Sequence, residues 1–220
     1  MNSTAAHQII AIDGPAASGK SSVARELAHR LGFVYVNSGA MYRAMTWLVL
    51  ERGVPTADAA AIEQLAEQTP ISCGLRDRDS LILIDGFDPE PYLREDRVNK
   101  NVSRVSSVPR VREILVDHLR RYAATNDLVM EGRDIGSVVF PDTPFKFYID
   151  ASPEIRLRRR EAQGQRDRIT ARDEADSSRR ASPLIIAEDA HVIDSSNLTI
   201  EGVVGEIIGR LKLKGLTIAR

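Results

Sequence analysis

One cysteine, Cys73, stands alone in 220 residues, which removes any internal disulfide framework and suits a reducing compartment. Net charge is nearly absent as well: 30 basic against 31 acidic residues leave −1, so no global field draws the chain onto nucleic acid. No apolar run approaches the roughly 18 residues of a membrane span. Met1 to Gln8 has no basic leader region, and Asp13 at once breaks the apolar run Ile9–Ile12, which reads as a first strand rather than a secretory signal. His7, His29, His118 and His191 are scattered without metal-ligand spacing, and there is no internal repeat. Lysine is scarce, at 5 against 25 arginines. Arginine grips carboxylate and phosphate bidentately, so the bias is compatible with handling anions, though genomic composition explains it equally well. What is present is 43% hydrophobic and 28% charged residues, enough to bury a core in one domain with an insertion, or two small domains. The expectation is a soluble cytoplasmic monomer with no membrane or nucleic-acid partner.

Short apolar runs alternate with helical patterns. Gln8–Asp13, Phe33–Val36, Leu128–Glu131, Phe145–Asp150 and His191–Asp194 read as buried strands. Val23, Leu27 and Leu31 share one helical stripe, as do Met41, Ala44, Met45, Leu48 and Val49. Val111, Ile114, Leu115, His118, Leu119 and Tyr122 keep helical spacing, and so does the set from Ile200 to Leu211. Strands separated by helices predict a three-layer α/β/α fold with about five parallel strands. Pro70 to Pro91 breaks the pattern with Ile71–Leu75 and Leu81–Asp85, two runs with hairpin chemistry. They predict a small β-containing subdomain inserted over 55–101, leaving 1–54 and 102–220 as the core. Cys73 and Trp47 read as packing residues.

The strongest local signal is Gly14-Pro15-Ala16-Ala17-Ser18-Gly19-Lys20-Ser21-Ser22, a G-x-x-x-x-G-K-[ST] loop between a strand and a helix. Glycines let the backbone curl so that successive N–H groups converge on phosphate oxygens, and the helix opening at Lys20 aims its positive end at the same anion. Lys20 would add charge at the β- and γ-phosphates, and the Ser21 hydroxyl would ligate Mg²⁺. The loop alone fits a GTPase, an ATPase motor or a small-molecule kinase. No guanine-reading Asn-Lys-x-Asp follows, and the run Leu128-Val129-Met130 ends in Glu131 rather than the Asp expected of a motor. A kinase needs an acceptor pocket and an arginine-bearing cover that excludes water. Arg156 to Arg180 is dense in arginine and supplies a candidate lid at about 158–172.

Asn37-Ser38-Gly39-Ala40-Met41-Tyr42-Arg43 follows the second strand, with Ser38 suited to cap the next helix. A hydroxyl at a helix start with Arg43 one turn in would also hold a second phosphate. Gly132-Arg133-Asp134-Ile135-Gly136 leaves the C-terminal end of another strand, where ligands of open α/β sheets bind. These motifs, with Pro109-Arg110-Val111-Arg112, Val138-Val139-Phe140-Pro141-Asp142, Arg172-Asp173 and Ser182-Pro183-Leu184, resemble bacterial cytidylate kinases over nearly the whole chain. The family often carries Asp where this chain has Asn37 and Glu131.

The resemblance implies ATP-dependent phosphorylation of CMP and dCMP, with ATP on Gly14 to Ser22 and Mg²⁺ at Ser21. Lys20, Arg133 and Arg179 would act on the transferring phosphoryl group. It places Ser38, Arg43, Arg133 and Arg179 on the CMP phosphate, and Arg172 and Asp176 on the sugar. Asp134, Arg112 and Ser103 would read the base, because cytosine offers an N4 amine donor beside acceptors at N3 and O2. The lid arginine that meets the γ-phosphate stays unassigned among Arg156, Arg158, Arg159, Arg166 and Arg168.

Overall fold

The computed structural model describes residues 7–162, 169–179 and 182–216. The chain runs β1 (Ile9–Asp13), α1 (Lys20–Leu31), β2 (Val34–Asn37), α2 (Ser38–Glu51), α3 (Ala59–Gln68), β3 (Ile71–Arg76) and β4 (Asp79–Ile84). It continues through α4 (Asp96–Val105), α5 (Pro109–Tyr122), β5 (Leu128–Gly132), β6 (Phe145–Asp150), α6 (Pro153–Ala162), α7 (Ile169–Ser177), β7 (His191–Asp194) and α8 (Ile200–Leu213). One sheet forms in the order β3-β4-β2-β5-β1-β6-β7, with only β3 antiparallel to its neighbour.

The period-2 alternation of each strand divides the core into two layers. Ala11, Val34, Val36, Leu128 and Met130 face one side, under Met41, Met45 and Leu48 of α2 and Val111, Leu115 and Leu119 of α5. Ile10, Ile12, Tyr35, Val129, Phe147 and Ile149 face the other, under Val23, Leu27 and Leu31 of α1 and Val203, Val204 and Ile207 of α8. This is the α/β/α sandwich anticipated from the sequence.

Five parallel strands were expected, and a sixth joins them. The β3–β4 hairpin turns at Asp77 and Arg78, both at positive φ, and β4 meets β2 through the single pair Tyr35–Asp79. Tyr35 N–H donates to Arg78 O at 2.9 Å, and Asn37 N–H donates to Ser80 Oγ at 3.1 Å. Ile62, Ala66, Ile82, Ile84 and Leu93 then close over the α2 side, so the hydrophobic layer runs unbroken from the central strands into this region. Trp47 is not core. It is half-buried and stacks on Phe87 and Tyr92, with centroids 5.3 and 5.8 Å away. Among the described residues no helix is long and apolar enough to cross a membrane.

Candidate active site

The loop from Gly14 to Gly19 joins β1 to α1 at the C-terminal edge of the sheet, where open α/β folds place their ligands. Gly14 has φ +153°, and a Cβ there would lie 2.1 Å from the carbonyl oxygen of Ile149 on β6. Backbone cannot yield to that contact as a flexible side chain would. Gly14→Ala is therefore expected to cost about 2 kcal/mol of overpacking, lowering the melting temperature by about 6 °C; a thermal melt of the variant checks this.

Two arms hold the loop from outside. Ala16 N–H donates to Asp173 Oδ1 at 3.0 Å, while Arg156 pairs with the same carboxylate and reaches Ala16 O at 3.3 Å. Arg159 donates to Ser18 O at 3.1 Å and to Ser195 O at 2.7 Å, and Ser195 Oγ donates to Ser18 O at 2.8 Å. Arg156 and Arg159 are thus tied to the loop backbone, and Arg158 is exposed. Arg160 is the buried arginine of α6 and lies near enough to Arg43 to depress its basicity. Arg166, Arg168 and the side chain of Arg172 lie outside the described residues.

Inside the loop, Lys20 is buried and its Nζ donates to Pro15 O at 2.9 Å, spanning the curl. Ser21 Oγ donates to Glu131 Oε1 at 2.8 Å, and Tyr35 OH donates to the same oxygen at 3.5 Å. A hydroxyl beside a buried carboxylate is a hard oxygen set that suits Mg²⁺. Among the described residues no group of three or more His, Cys, Asp or Glu side chains could form a cage.

Across from the loop, Ser38 is not the cap of α2. Asn37 takes that role, its Oδ1 accepting from Ala40 N–H at 2.9 Å, and Ser38 Oγ instead donates to Glu131 O at 2.8 Å. Arg43 lies one turn in. Its Nη1 donates to Gly39 O at 2.9 Å, and its Nε reaches Asn99 Oδ1 at 3.4 Å. Burial pushes this guanidinium down to about 10; Glu131 resists, while Arg133, Arg160 and Arg94 add to the fall.

Asp176 is the hub of the cluster. Arg133 Nε donates to its Oδ2 at 2.8 Å, Ser103 Oγ donates to its Oδ1 at 3.3 Å, and Arg179 Nη2 lies 3.0 Å from Oδ1. That last pair lacks hydrogen-bond alignment, which leaves Arg179 Nη2 buried and unsatisfied. Burial also lowers the Arg179 basicity. Burial works the same way on Arg133, but the Asp176 charge and hydrogen bond outweigh it and hold Arg133 above its ordinary value. Arg133 Nη1 donates to Gly14 O at 2.7 Å, joining this cluster to the phosphate loop.

Deeper in, Arg112 and Asp134 form an ion pair with each side chain only 4% exposed. Arg112 lies over the Tyr42 ring, 5.0 Å from its centroid, and its Nη1 donates to Ser106 O at 3.2 Å. Arg112 Nε and Tyr42 OH are buried without hydrogen-bond partners. Native interiors leave few such groups, so Arg112 Nε, Tyr42 OH and Arg179 Nη2 could each still donate or accept toward a polar ligand.

The structure therefore brings together Ser38, Arg43, Arg133, Asp176 and Arg179, and beside them Arg112 and Asp134. Ser103 meets Asp176 rather than the buried pair. Tyr42, Asn99 and Glu131 were given no role from sequence. For Tyr42 the signal was available, because it lies one helical turn after Ser38 and shares its face.

Comparison with known proteins agrees with the geometry. The family model described as cytidylate kinase matches residues 10–213. A cytidylate kinase of Pelotomaculum thermopropionicum is 44% identical over 214 residues, covering 92% of this chain and 95% of the relative. One from Rhodococcus opacus is 45% identical over 212 residues, covering 91% and 93%, and one from Mycobacterium leprae is 43% identical over 216 residues, covering 93% and 95%. With the phosphate loop, the arginine cluster and the buried carboxylate–guanidinium pair in place, the chain belongs to the cytidylate kinase family, and with it to the phosphotransferases that convert CMP to CDP at the expense of ATP.

Proposed function

We propose that this chain transfers the γ-phosphoryl group of ATP to the phosphate of CMP or dCMP, with the donor on Gly14–Ser22 and the acceptor between α2, α4, α5 and the strand end at Arg133. The carrying observation is that one dipeptide serves both sites. Arg133 touches Gly14 O on the donor loop and Asp176 in the acceptor cluster, while Asp134 pairs with Arg112 where the base would be read.

In this reading Arg43, Arg133 and Arg179 receive the dianionic acceptor phosphate. Their mutual repulsion, now offset by Asp176 at Arg133 and Arg179 and by Glu131 at Arg43, is relieved when the phosphate arrives. An acceptor oxygen attacks the γ-phosphorus as the bond to the β,γ-bridging oxygen breaks, and ADP departs with that electron pair. No strong base is needed, and the rate comes from alignment and from positive charge aimed at the equatorial oxygens. Lys20 approaches those oxygens from the loop, and Arg160 on α6 lies on the same side as Arg43. A Mg²⁺ ion held at Ser21, with Glu131 behind the hydroxyl, would neutralise charge on the β- and γ-phosphates. Residues 55–101 serve as the acceptor-side subdomain in this reading, and the expected lid at about 158–172 lies partly outside the described residues. In this reading one chain acts alone, in the cytoplasm.

The test is CDP formation from ATP with CMP, dCMP or UMP under Mg²⁺. The expected result is a kcat/KM for CMP at least about 100-fold above that for UMP, because uracil turns an acceptor toward the Asp134 carboxylate and leaves buried polar groups unmatched. Equal use of both acceptors, or no CDP, overturns the assignment.

A further inference from the structure

We propose that Asp13 is a positioning residue, whose buried carboxylate holds the Arg133–Asp134 dipeptide in register between the two nucleotide sites by gripping the N–H groups of Ile135 and Gly136. This deepens the function proposed above and rests on it.

Asp13 is the last residue of β1, directly before the phosphate loop, and its sheet partner on β5 is Gly132. The strand that delivers Arg133 and Asp134 therefore ends beside it. After Asp134 the chain makes one wide turn over Ile135–Val139, closed by Val139 N–H to Asp134 O at 3.1 Å and Phe140 N–H to Ile135 O at 2.7 Å. The leading N–H groups of such a turn have no acceptor within it. Asp13 supplies both: Ile135 N–H donates to Oδ1 at 2.8 Å and Gly136 N–H donates to Oδ2 at 2.7 Å.

A two-point grip fixes rotation as well as distance. Gly136 allows it, since a Cβ there would lie 3.3 Å from Asp13 Oδ2 and 3.2 Å from the Lys146 side chain. The carboxylate is 5% exposed with each oxygen occupied by an N–H, so it is placed to hold peptide groups and not to touch substrate. Of the residues it steadies, Arg133 joins the sites through Gly14 O and Asp176, and Asp134 pairs with Arg112 in the acceptor cluster. Phosphoryl transfer loses about 100-fold for roughly 1 Å of misplacement, so a loose turn registers in the acceptor kinetics.

The grip has a pH dependence. Burial pushes the Asp13 carboxyl up to about 7, against the pull of the Gly136 and Ile135 N–H groups; Asp134 raises it further and Lys20 lowers it. Tyr148 of β6 also faces it, with a phenol pushed up to about 12 by burial, and Lys146 of β6 is bound to Asp189. That phenol stays protonated near neutrality. A proton on Asp13 turns one acceptor oxygen into a donor and releases one N–H. Acceptor kinetics should therefore weaken as pH falls through about 7.

The experiment compares wild type with the near-isosteric Asp13→Asn and with Asp13→Ala, using ATP, CMP and UMP. Expected are about tenfold faster hydrogen exchange at the Ile135 and Gly136 amides, a KM for CMP raised about tenfold, and a CMP-over-UMP preference reduced about tenfold. ATP affinity should stay within twofold. The acid-side fall in kcat/KM for CMP should be shallower in Asp13→Asn, and the phosphate's own titration is common to both proteins. Faster exchange at the two amides with wild-type KM and preference overturns the proposal, as does an equal loss of ATP and CMP affinity, which would mark general damage. If Asp13→Ala does not fold, Asp13→Asn decides alone. A wild-type protein that makes no CDP overturns the functional reading and this proposal together, whereas an active variant with unchanged CMP kinetics overturns this proposal only.

Discussion

Lys20→Ala is expected to lower kcat by about 10³ while leaving the fold intact. The ammonium is buried at the floor of the phosphate loop, where its field is little screened by water, and removing one aimed donor from such a site costs 10² to 10³ in rate. Lys20 adds a full positive charge to the donor role, which puts the loss at the upper end. The resting bond from Nζ to Pro15 O is one contact the fold would forfeit, and that carbonyl lies in a loop that solvent can reach once the side chain is gone. The loop keeps its other ties, from Asp173 to Ala16 and from Arg159 and Ser195 to Ser18. Thermal unfolding should therefore shift by only a few degrees. Lys20→Arg should not rescue, because a planar fork cannot replace a compact ammonium inside the curl. Single-turnover kinetics with saturating ATP and CMP measure the effect. A kcat within tenfold of wild type would remove Lys20 from the chemistry.

The parts of the fold readable in advance are those where one local pattern decides. α1 opens at Lys20, and β6 and β7 occupy Phe145–Asp150 and His191–Asp194, as apolar runs bounded by Asp dictate. α4 was missed because its apolar stripe is only Val98, Val102 and Val105 on an otherwise polar segment, made helical by packing against α2. The strand pairing of β4 with β2 left no trace either. It depends on Arg78 at φ +70°, a residue without turn preference, whose guanidinium donates to Gly32 O. The segment Ile135-Gly136-Ser137-Val138-Val139 carries the composition of a strand. It turns because Asp13, 122 residues earlier, takes up its first N–H.

The same division holds at the site. The phosphate loop is one contiguous stretch whose geometry follows from its own glycines, so sequence alone located it. Ser38 misled because serine is a good cap, and only the three-dimensional approach of Glu131 O shows that its hydroxyl is engaged there while Asn37 does the capping. The role of Asp176 as a hub depends on Arg133, 43 residues away, and on Ser103, 73 residues away. Such a hub is assembled by the fold and has no local signature. Family resemblance supplied all three residues, but not the contacts that Arg133 and Ser103 make with Asp176.

Replacing Asp134 is expected to damage acceptor choice more than any other property. Asp134→Asn keeps the shape and one acceptor oxygen for Arg112, but it turns an amide donor toward the base. Cytosine then meets a donor where its N4 amine needs an acceptor, while uracil O4 gains a partner. A buried mismatch of this kind costs several kcal/mol, so kcat/KM for CMP should fall by about 10² to 10³ and the preference for CMP over UMP should collapse by a similar factor. The KM for ATP should change by less than about threefold, because the ion pair of Asp134 is with Arg112 on the acceptor side. Asp134→Ala adds a second loss. It strands the Arg112 guanidinium, 4% exposed and already lacking a partner at Nε, beside the Tyr42 ring. Breaking a buried pair by removing one partner costs about 3–5 kcal/mol, on the order of 10 °C in melting temperature for a domain of this size. The double variant Asp134→Ala, Arg112→Met should regain part of that stability without regaining CMP use, separating the structural role of the pair from base reading. Retained CMP selectivity in Asp134→Asn would show that the pyrimidine amine is read by some other group.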